Sequence, residues 1–286
     1  IAARYIPWIC GPAGSGKTHL VQQVSAAIYD DESRFFMSGK LDSAFELLGF
    51  MTVDGSKCVP TAFTHAWDLG GLFLSDEADR CEAGATVAFN AALANRIQNF
   101  PDGTRSAHPD FRAAATANTS GSGIDRGQMY VTAQQQDSST LDRYVYVPFP
   151  YDNVLTARLA GASEKCLEGF IADRPQPEFF EAEIFNGEKQ VKASTVDKYI
   201  RDAHDYIKGV RLSNQRHLIS PRAVMVGADL LRRGYRRDWV DRLVIWKGLD
   251  SATVRKIAAA GMTPAAGQET ADRMDSLDAS IGMGGE

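Results

Sequence analysis

The sequence predicts an α/β chain: a five-stranded parallel sheet with crossover helices over residues 1–150, followed by a small all-helical domain. Three observations carry this expectation. Short apolar runs that end in glycine, amide or acidic residues alternate with helix-like stretches through the first half. A glycine-rich turn, GPAGSGKT at residues 11–18, lies between the first apolar run and the first helix-like stretch. Beyond about residue 150 the strand-like runs stop and helical periodicity takes over.

Taken in order, YIPWI at residues 5–9 reads as a buried strand mildly interrupted by Pro7. Residues 17–29 read as a helix with Leu20, Val21, Val24 and Ile28 on one face. RFFM (34–37) is a short strand, and a helix follows over 41–48. GFMTVDGSKCV (49–59) places Asp54-Gly55 between short β-prone runs, a hairpin signal. A second short helix covers 61–69, and GGLFLSDEAD (70–79) is an apolar strand ending in acids. A long helix is expected over 82–99, with Val87, Leu93, Ala94 and Ile97 spaced to pack. Asp102-Gly103 marks another tight turn. FRAAATANT (111–119) is the fourth strand of the sheet, and TLDRYVYVPF (140–149) is a helix end followed by the fifth. The domain boundary falls near Pro148–Asp152, and residues 151–262 form a helical lid. Residues 263–286 are acidic and poor in large apolar side chains, which predicts a flexible tail.

Composition narrows the class. With 44% hydrophobic and 23% charged residues, the chain reads as an ordinary globular protein. No apolar run approaches the roughly 20 residues needed to span a bilayer, and no secretory leader is visible, so the expected location is cytoplasmic. Cys10, Cys58, Cys81 and Cys166 stand without a C-x-x-C pair and read as reduced thiols rather than zinc ligands or disulfides. A net charge of −5 gives no global attraction to nucleic acid. Arg232, Arg233, Arg236 and Arg237, beside Tyr235 and Trp239, form a local basic run. A solvated helix face is the favoured reading of that run over a nucleic-acid strip.

The chemistry begins at the glycines. They let the backbone curl so that successive N–H groups face inward, and the following helix adds its positive N-terminal dipole. Lys17 can then reach outer phosphates, and Thr18 can coordinate Mg²⁺. Asp76 and Glu77 end an apolar strand, at the sheet edge where ligands of open α/β sheets bind. There Asp76 suits Mg²⁺, and Glu77 suits polarising an attacking water. An acidic helix cap is the competing reading. Asn118, at the end of the fourth strand, suits either water orientation or an ordinary turn. Arg143 suits either a local ion pair or an arginine offered to a neighbouring subunit's phosphate. Pro221 fits a first helical position, which supports a helix there, but spacing leaves the role of Arg222 open.

Together GPAGSGKT, the 47–79 segment, FPDGTRSAHPDFRAAATANT and STLDRYVYV resemble the AAA+ ATPases, in the branch of MoxR-type, CobS-type and dynein-related proteins. The resemblance covers roughly residues 5–235. It implies a P-loop AAA+ domain with ATP held along Gly11, Pro12, Ala13, Gly14, Ser15, Gly16, Lys17, Thr18 and His19. It implies Mg²⁺ at Thr18 and Asp76, Glu77 as the water-activating residue, Asn118 at sensor 1, Arg143 as arginine finger and Arg222 at sensor 2. The two Asp-Gly hairpins match the helix-2 insert, with Phe50 and Met51, and the pre-sensor-1 hairpin, with Asp102 and Gly103. In such ATPases both face the pore of a ring. The resemblance thus implies a homo-hexamer that hydrolyses ATP and remodels or threads a protein. A DNA-acting motor and a nucleotide-gated scaffold with little turnover are the alternatives. Little of the segment that usually precedes the first strand and helps grip the base is expected within residues 1–286, and no accessory domain is expected there.

Overall fold

The computed structural model describes residues 1, 4–121, 132–152, 193–215, 217–262 and 264–280. The chain divides into two compact units, Ile1–Phe149 and Pro150–Glu286.

The first unit is built on five parallel strands: β1 (Ile6–Cys10), β2 (Phe35–Ser38), β5 (Leu72–Ser75), β8 (Arg112–Ala117) and β9 (Tyr144–Pro148). Their order across the sheet is β2-β5-β8-β1-β9, so β1 lies between β8 and β9. Pro7 is accommodated because pairing with β8 begins only at Trp8. Every side chain of β5 is buried, as expected of a strand covered on both faces. On one face α1 (Lys17–Tyr29) buries Val21 against Ile9, Leu72, Leu74 and Ala114. The other face carries α3 (Ala62–Leu69) and α4 (Ala83–Asn95), with the short α2 (Ala44–Leu48) packed on both. Phe63 of α3 sits at the centre of that layer. Its ring centroid lies 5.1–6.3 Å from those of Trp67, Phe73, Phe89, Phe100 and Phe111. Capping is local and legible: Thr61 accepts from the Thr64 N–H while the Thr64 hydroxyl accepts from the Thr61 N–H.

Both expected hairpins form. Phe50–Met51 (β3) pairs antiparallel with Cys58–Val59 (β4), and Ile97–Phe100 (β6) with Gly103–Ser106 (β7). The helix expected over 82–99 is shorter. It ends at Asn95, because Arg96 turns left-handed (φ 54°) and the chain enters β6. Ile97 thus falls in β6 and is 54% exposed, and Val87 lies on the helix's outer face at 65%; Ala85, Phe89 and Ala92 are buried, and Leu93 packs against the same core as expected.

The second unit is helical where it is described: α6 (Ala193–Ser213), α7 (Pro221–Arg232), α8 (Arg237–Val240), α9 (Ser251–Gly261) and α10 (Pro264–Ser280), with a π-helical turn at Asp241–Ile245. The flexible tail expected from residue 263 is instead helix α10 through Ser280, packed on α9. Small and flexible apolar residues at helical spacing, Ala271, Met274 and Leu277, are buried. Ion pairs tie the same helix down: Arg273 to Asp241 (3.2 Å), Asp278 to Arg242 (2.9 Å) and Asp275 to Arg255 (3.0 Å). Asp241 is fully buried, and burial pushes its carboxyl above the usual range despite Arg237 and Arg273 beside it. Among the described residues no helix is long and apolar enough to cross a membrane.

Candidate nucleotide-binding site

The loop after β1 is shaped by its glycines. At Gly11 a Cβ would sit 1.9 Å from the Phe149 carbonyl oxygen, so only glycine lets the loop leave β1 beside β9. Gly14 and Gly16 adopt φ of 78° and 92°, the left-handed region that side chains disfavour. An added Cβ at either meets no atom within 4 Å, so there the demand is conformational. Ser15 Oγ is buried with no hydrogen-bond partner, an orphaned polar atom within the loop.

Lys17 opens α1 and is only 8% exposed. Its ammonium donates to Gly11 O (2.8 Å), Pro12 O (2.9 Å) and Asn118 Oδ1 (3.0 Å). All three protons are engaged. Burial lowers its pKa, while the nearby carboxylates Asp76, Asp79 and Glu77 oppose that shift. Thr18 follows with its hydroxyl donating to Asp76 Oδ2 at 3.0 Å. The second Asp76 oxygen accepts from the hydroxyl of Thr116 on β8. The adjacent hydroxyl and carboxylate form an oxygen set of the kind Mg²⁺ prefers. Donor chemistry, the orphaned Ser15 hydroxyl and the open space over the glycines fit a nucleotide phosphate chain with its cation.

Glu77 also departs from the regular strand. It adopts φ 53°, caps the 3₁₀ turn Ala78–Arg80, and pairs with Arg80 at 3.0 Å. Asn118 is the residue after β8, and its side chain reaches Lys17 across two strand ends. The structure thus brings Lys17, Thr18, Asp76, Glu77 and Asn118 to one edge of the sheet. Arg143 joins none of these bonds. It follows α5 (Ser138–Leu141) and Asp142, donates to the Ser139 carbonyl, and leaves its Nε buried without a partner. His19 is exposed on α1. Arg222 stands second in α7, behind Pro221 and the capping Ser220, within the second unit.

Two residues beyond the predicted set matter here. Thr116 is wholly buried and orients Asp76. Asp79 is also wholly buried, and one of its oxygens accepts from Asn118 N (3.1 Å), Thr119 N (2.9 Å) and Thr119 Oγ1 (2.9 Å). The only sequence signal for Asp79 is its place in SDEADR, three positions after Asp76. The tight turn through Glu77 brings both carboxylates against the end of β8, Asp76 at Thr116 and Asp79 at Asn118 and Thr119.

The hairpins stand apart from this edge in their chemistry. Phe50 and Met51 are 50% and 38% exposed. The turn beyond them is fixed by Asp54, which accepts from Thr52 Oγ1 (2.6 Å), Ser56 N (3.1 Å) and Ser56 Oγ (2.8 Å). Those bonds pull its carboxyl down to about 2. In the second hairpin Arg105 pairs with Asp102 and Asp68, both at 2.6 Å, and lies 4.0 Å over the Phe100 ring. Asp102 and Gly103 form its exposed turn. His108 is a turn element. Its N–H donates to Trp67 O, and its Nδ1 accepts from Asp110 N.

A search of curated protein sequences finds no match to the chain. Among solved structures, a candidate ATPase from Cytophaga hutchinsonii is similar at a TM-score of 0.52 and 14% identity, over 87% of this chain and 77% of that one. That likeness is one of fold. A closed-state reconstruction of Hsp104 with ATPγS and FITC-casein overlaps 52% of this chain and 29% of its own, at 16% identity and a TM-score of 0.39. The sheet with its flanking helices, and the phosphate-loop edge just described, lie largely within residues 8–134, which match the family model of the AAA domain, dynein-related subfamily.

Proposed function

We propose that the chain binds ATP with Mg²⁺ and hydrolyses it, as a subunit of a ring, a hexamer, that remodels or threads a protein partner. One observation carries the nucleotide part: Lys17, Thr18, Asp76 and Asn118 are linked by direct hydrogen bonds at the strand ends, with Glu77 next in the chain. An outer phosphate is a stronger acceptor than a neutral amide, so it displaces Asn118 from Lys17 and leaves that amide to orient water. Glu77 exchanges Arg80 for the water and takes its proton. Thr18 and Asp76 would hold Mg²⁺, which neutralises charge on the phosphates when bound.

Two features support the ring and its substrate class. Among the described residues Arg143 is joined to none of the phosphate-loop edge, as suits an arginine finger acting on a neighbour's nucleotide. Phe50 and Met51 present apolar surface on a turn built to hold it outward. The DNA-motor reading weakens at the arginine run. Arg233 pairs with Asp229, Arg236 with Asp238, and Arg237 with Asp202 and Asp241, so their charge is neutralised locally.

Subunit mixing tests the proposal. Arg143→Ala protein keeps nucleotide affinity and loses about 10³-fold in turnover. Adding Lys17→Ala subunits, which lack the site but carry Arg143, restores part of the activity. A loss of only a few-fold, with no rescue on mixing, would remove the catalytic interface.

A further inference from the structure

We propose that Asp79 is a positioning residue for the hydrolysis step, acting through Asn118; this rests on the ATPase reading of the site. Asp79 lies in the 3₁₀ turn after Glu77 and is wholly shielded from solvent. One carboxylate oxygen accepts three hydrogen bonds, all from residues 118 and 119, at 2.9–3.1 Å. The other oxygen is buried with no partner among the described residues. A charge placed this way is costly to bury, and its three bonds all act on the residue that meets Lys17 and on the next.

The surrounding contacts make Asp79 the hinge pin of that segment. Three residues earlier Asp76 accepts from Thr116, so the acidic turn grips the end of β8 at two points, 116 and 118–119. Trp8 Nε1 donates to Thr119 O at 3.0 Å, and Gln134 N donates to Asp79 O at 2.7 Å. The turn that carries Asp76 and Glu77 and the strand end that carries Asn118 are therefore held as one piece. Displacing a water-orienting group by about 1 Å costs on the order of 10²-fold in rate. Among the described residues the phosphate loop donates no hydrogen bond to Asp79. Loss of Asp79 should thus lower kcat and spare nucleotide affinity.

The test is a double-mutant cycle on the full chain, with kcat from ATP turnover and affinity from direct binding of a fluorescent ATP analogue. Asp79→Ala should lower kcat about 30–100-fold and change analogue affinity less than about three-fold. Asp79→Asn, which keeps an acceptor oxygen, should recover most of kcat. Asp79→Ala with Asn118→Ala should be no slower than Asn118→Ala alone, because both act through one amide. Where Asp79→Ala does not fold, Asp79→Ser carries the same cycle. Multiplying losses in the double variant, an Asn variant as slow as the Ala variant, or affinity falling in step with kcat would each overturn the role of Asp79 while leaving the ATPase reading intact. A wild-type chain that binds the analogue yet never turns over ATP would overturn that reading, and this proposal with it.

Discussion

Replacing Thr116 by valine removes one hydroxyl and little else. Thr116 lies in β8, in register with Ile9 of β1, and is wholly buried. Its hydroxyl donates to Asp76 Oδ1, while Thr18 supplies the other Asp76 oxygen. Valine preserves the shape, so no cavity opens and β-propensity is kept. The loss is one hydrogen bond to a charged group, worth about 1.5–3 kcal/mol. For a unit of this size that lowers Tm by about 3–12 °C. The same bond orients Asp76 toward the cation, and removing such outer partners commonly weakens metal binding 10–100-fold, or about 1.4–2.8 kcal/mol. The assay titrates Mg²⁺ against ATP turnover at saturating nucleotide, with thermal melts in parallel. Half-saturation should move to 10–100-fold higher Mg²⁺. A melt shift with an unchanged Mg²⁺ curve would confine Thr116 to the sheet and refute its role in orienting Asp76.

Other outcomes follow from burial and titration. Phe63→Ala deletes a ring packed against five aromatic neighbours and should cost about 3–5 kcal/mol in urea unfolding. Phe50→Ala, on a half-exposed position, should cost far less and keep basal turnover while losing stimulation by a protein partner; a loss of stability as large as that of Phe63→Ala would return Phe50 to the core. His217 donates to the Ile245 carbonyl, and burial holds its pKa down at about 4. The unfolded chain takes up that proton near pH 6.5 and the fold does not. Stability is therefore complete above about pH 6.5 and falls by up to about 3 kcal/mol as pH drops toward 4. Urea unfolding of wild type and His217→Gln across this range checks it: the variant should lack that part of the slope.

What the sequence made legible was local. The phosphate loop, the acidic end of β5 and both Asp-Gly hairpins are set by residues within a few positions of one another, so spacing alone exposes them. The parallel sheet follows from alternation of apolar runs with helices, and its five strands lie where the runs predict. Contacts across the sheet are different. Asp79 and Thr116 gain their roles only when β5 and β8 become neighbours, and no local pattern distinguishes a buried Asp79 from a solvated one. The end of α4 misled for a related reason: Val87 and Ile97 keep helical spacing, but a left-handed Arg96 stops the helix before Ile97. Helix α10 was hidden by composition. Its acids at 275 and 278 suggest a solvated tail until Arg255 and Arg242 are seen to pair with them.

The most direct measurement is ATP turnover and analogue binding by Glu77→Gln beside wild type. The substitution keeps the size of the side chain and removes the base at the strand end, leaving Lys17, Thr18 and Asp76 in place. Wild type should bind and hydrolyse ATP. The variant should bind with affinity within a few-fold and hydrolyse at least about 10²-fold more slowly, the usual contribution of a positioned general base. A Glu77→Gln chain that turns over ATP at the wild-type rate would contradict the assignment of this sheet edge as the catalytic centre.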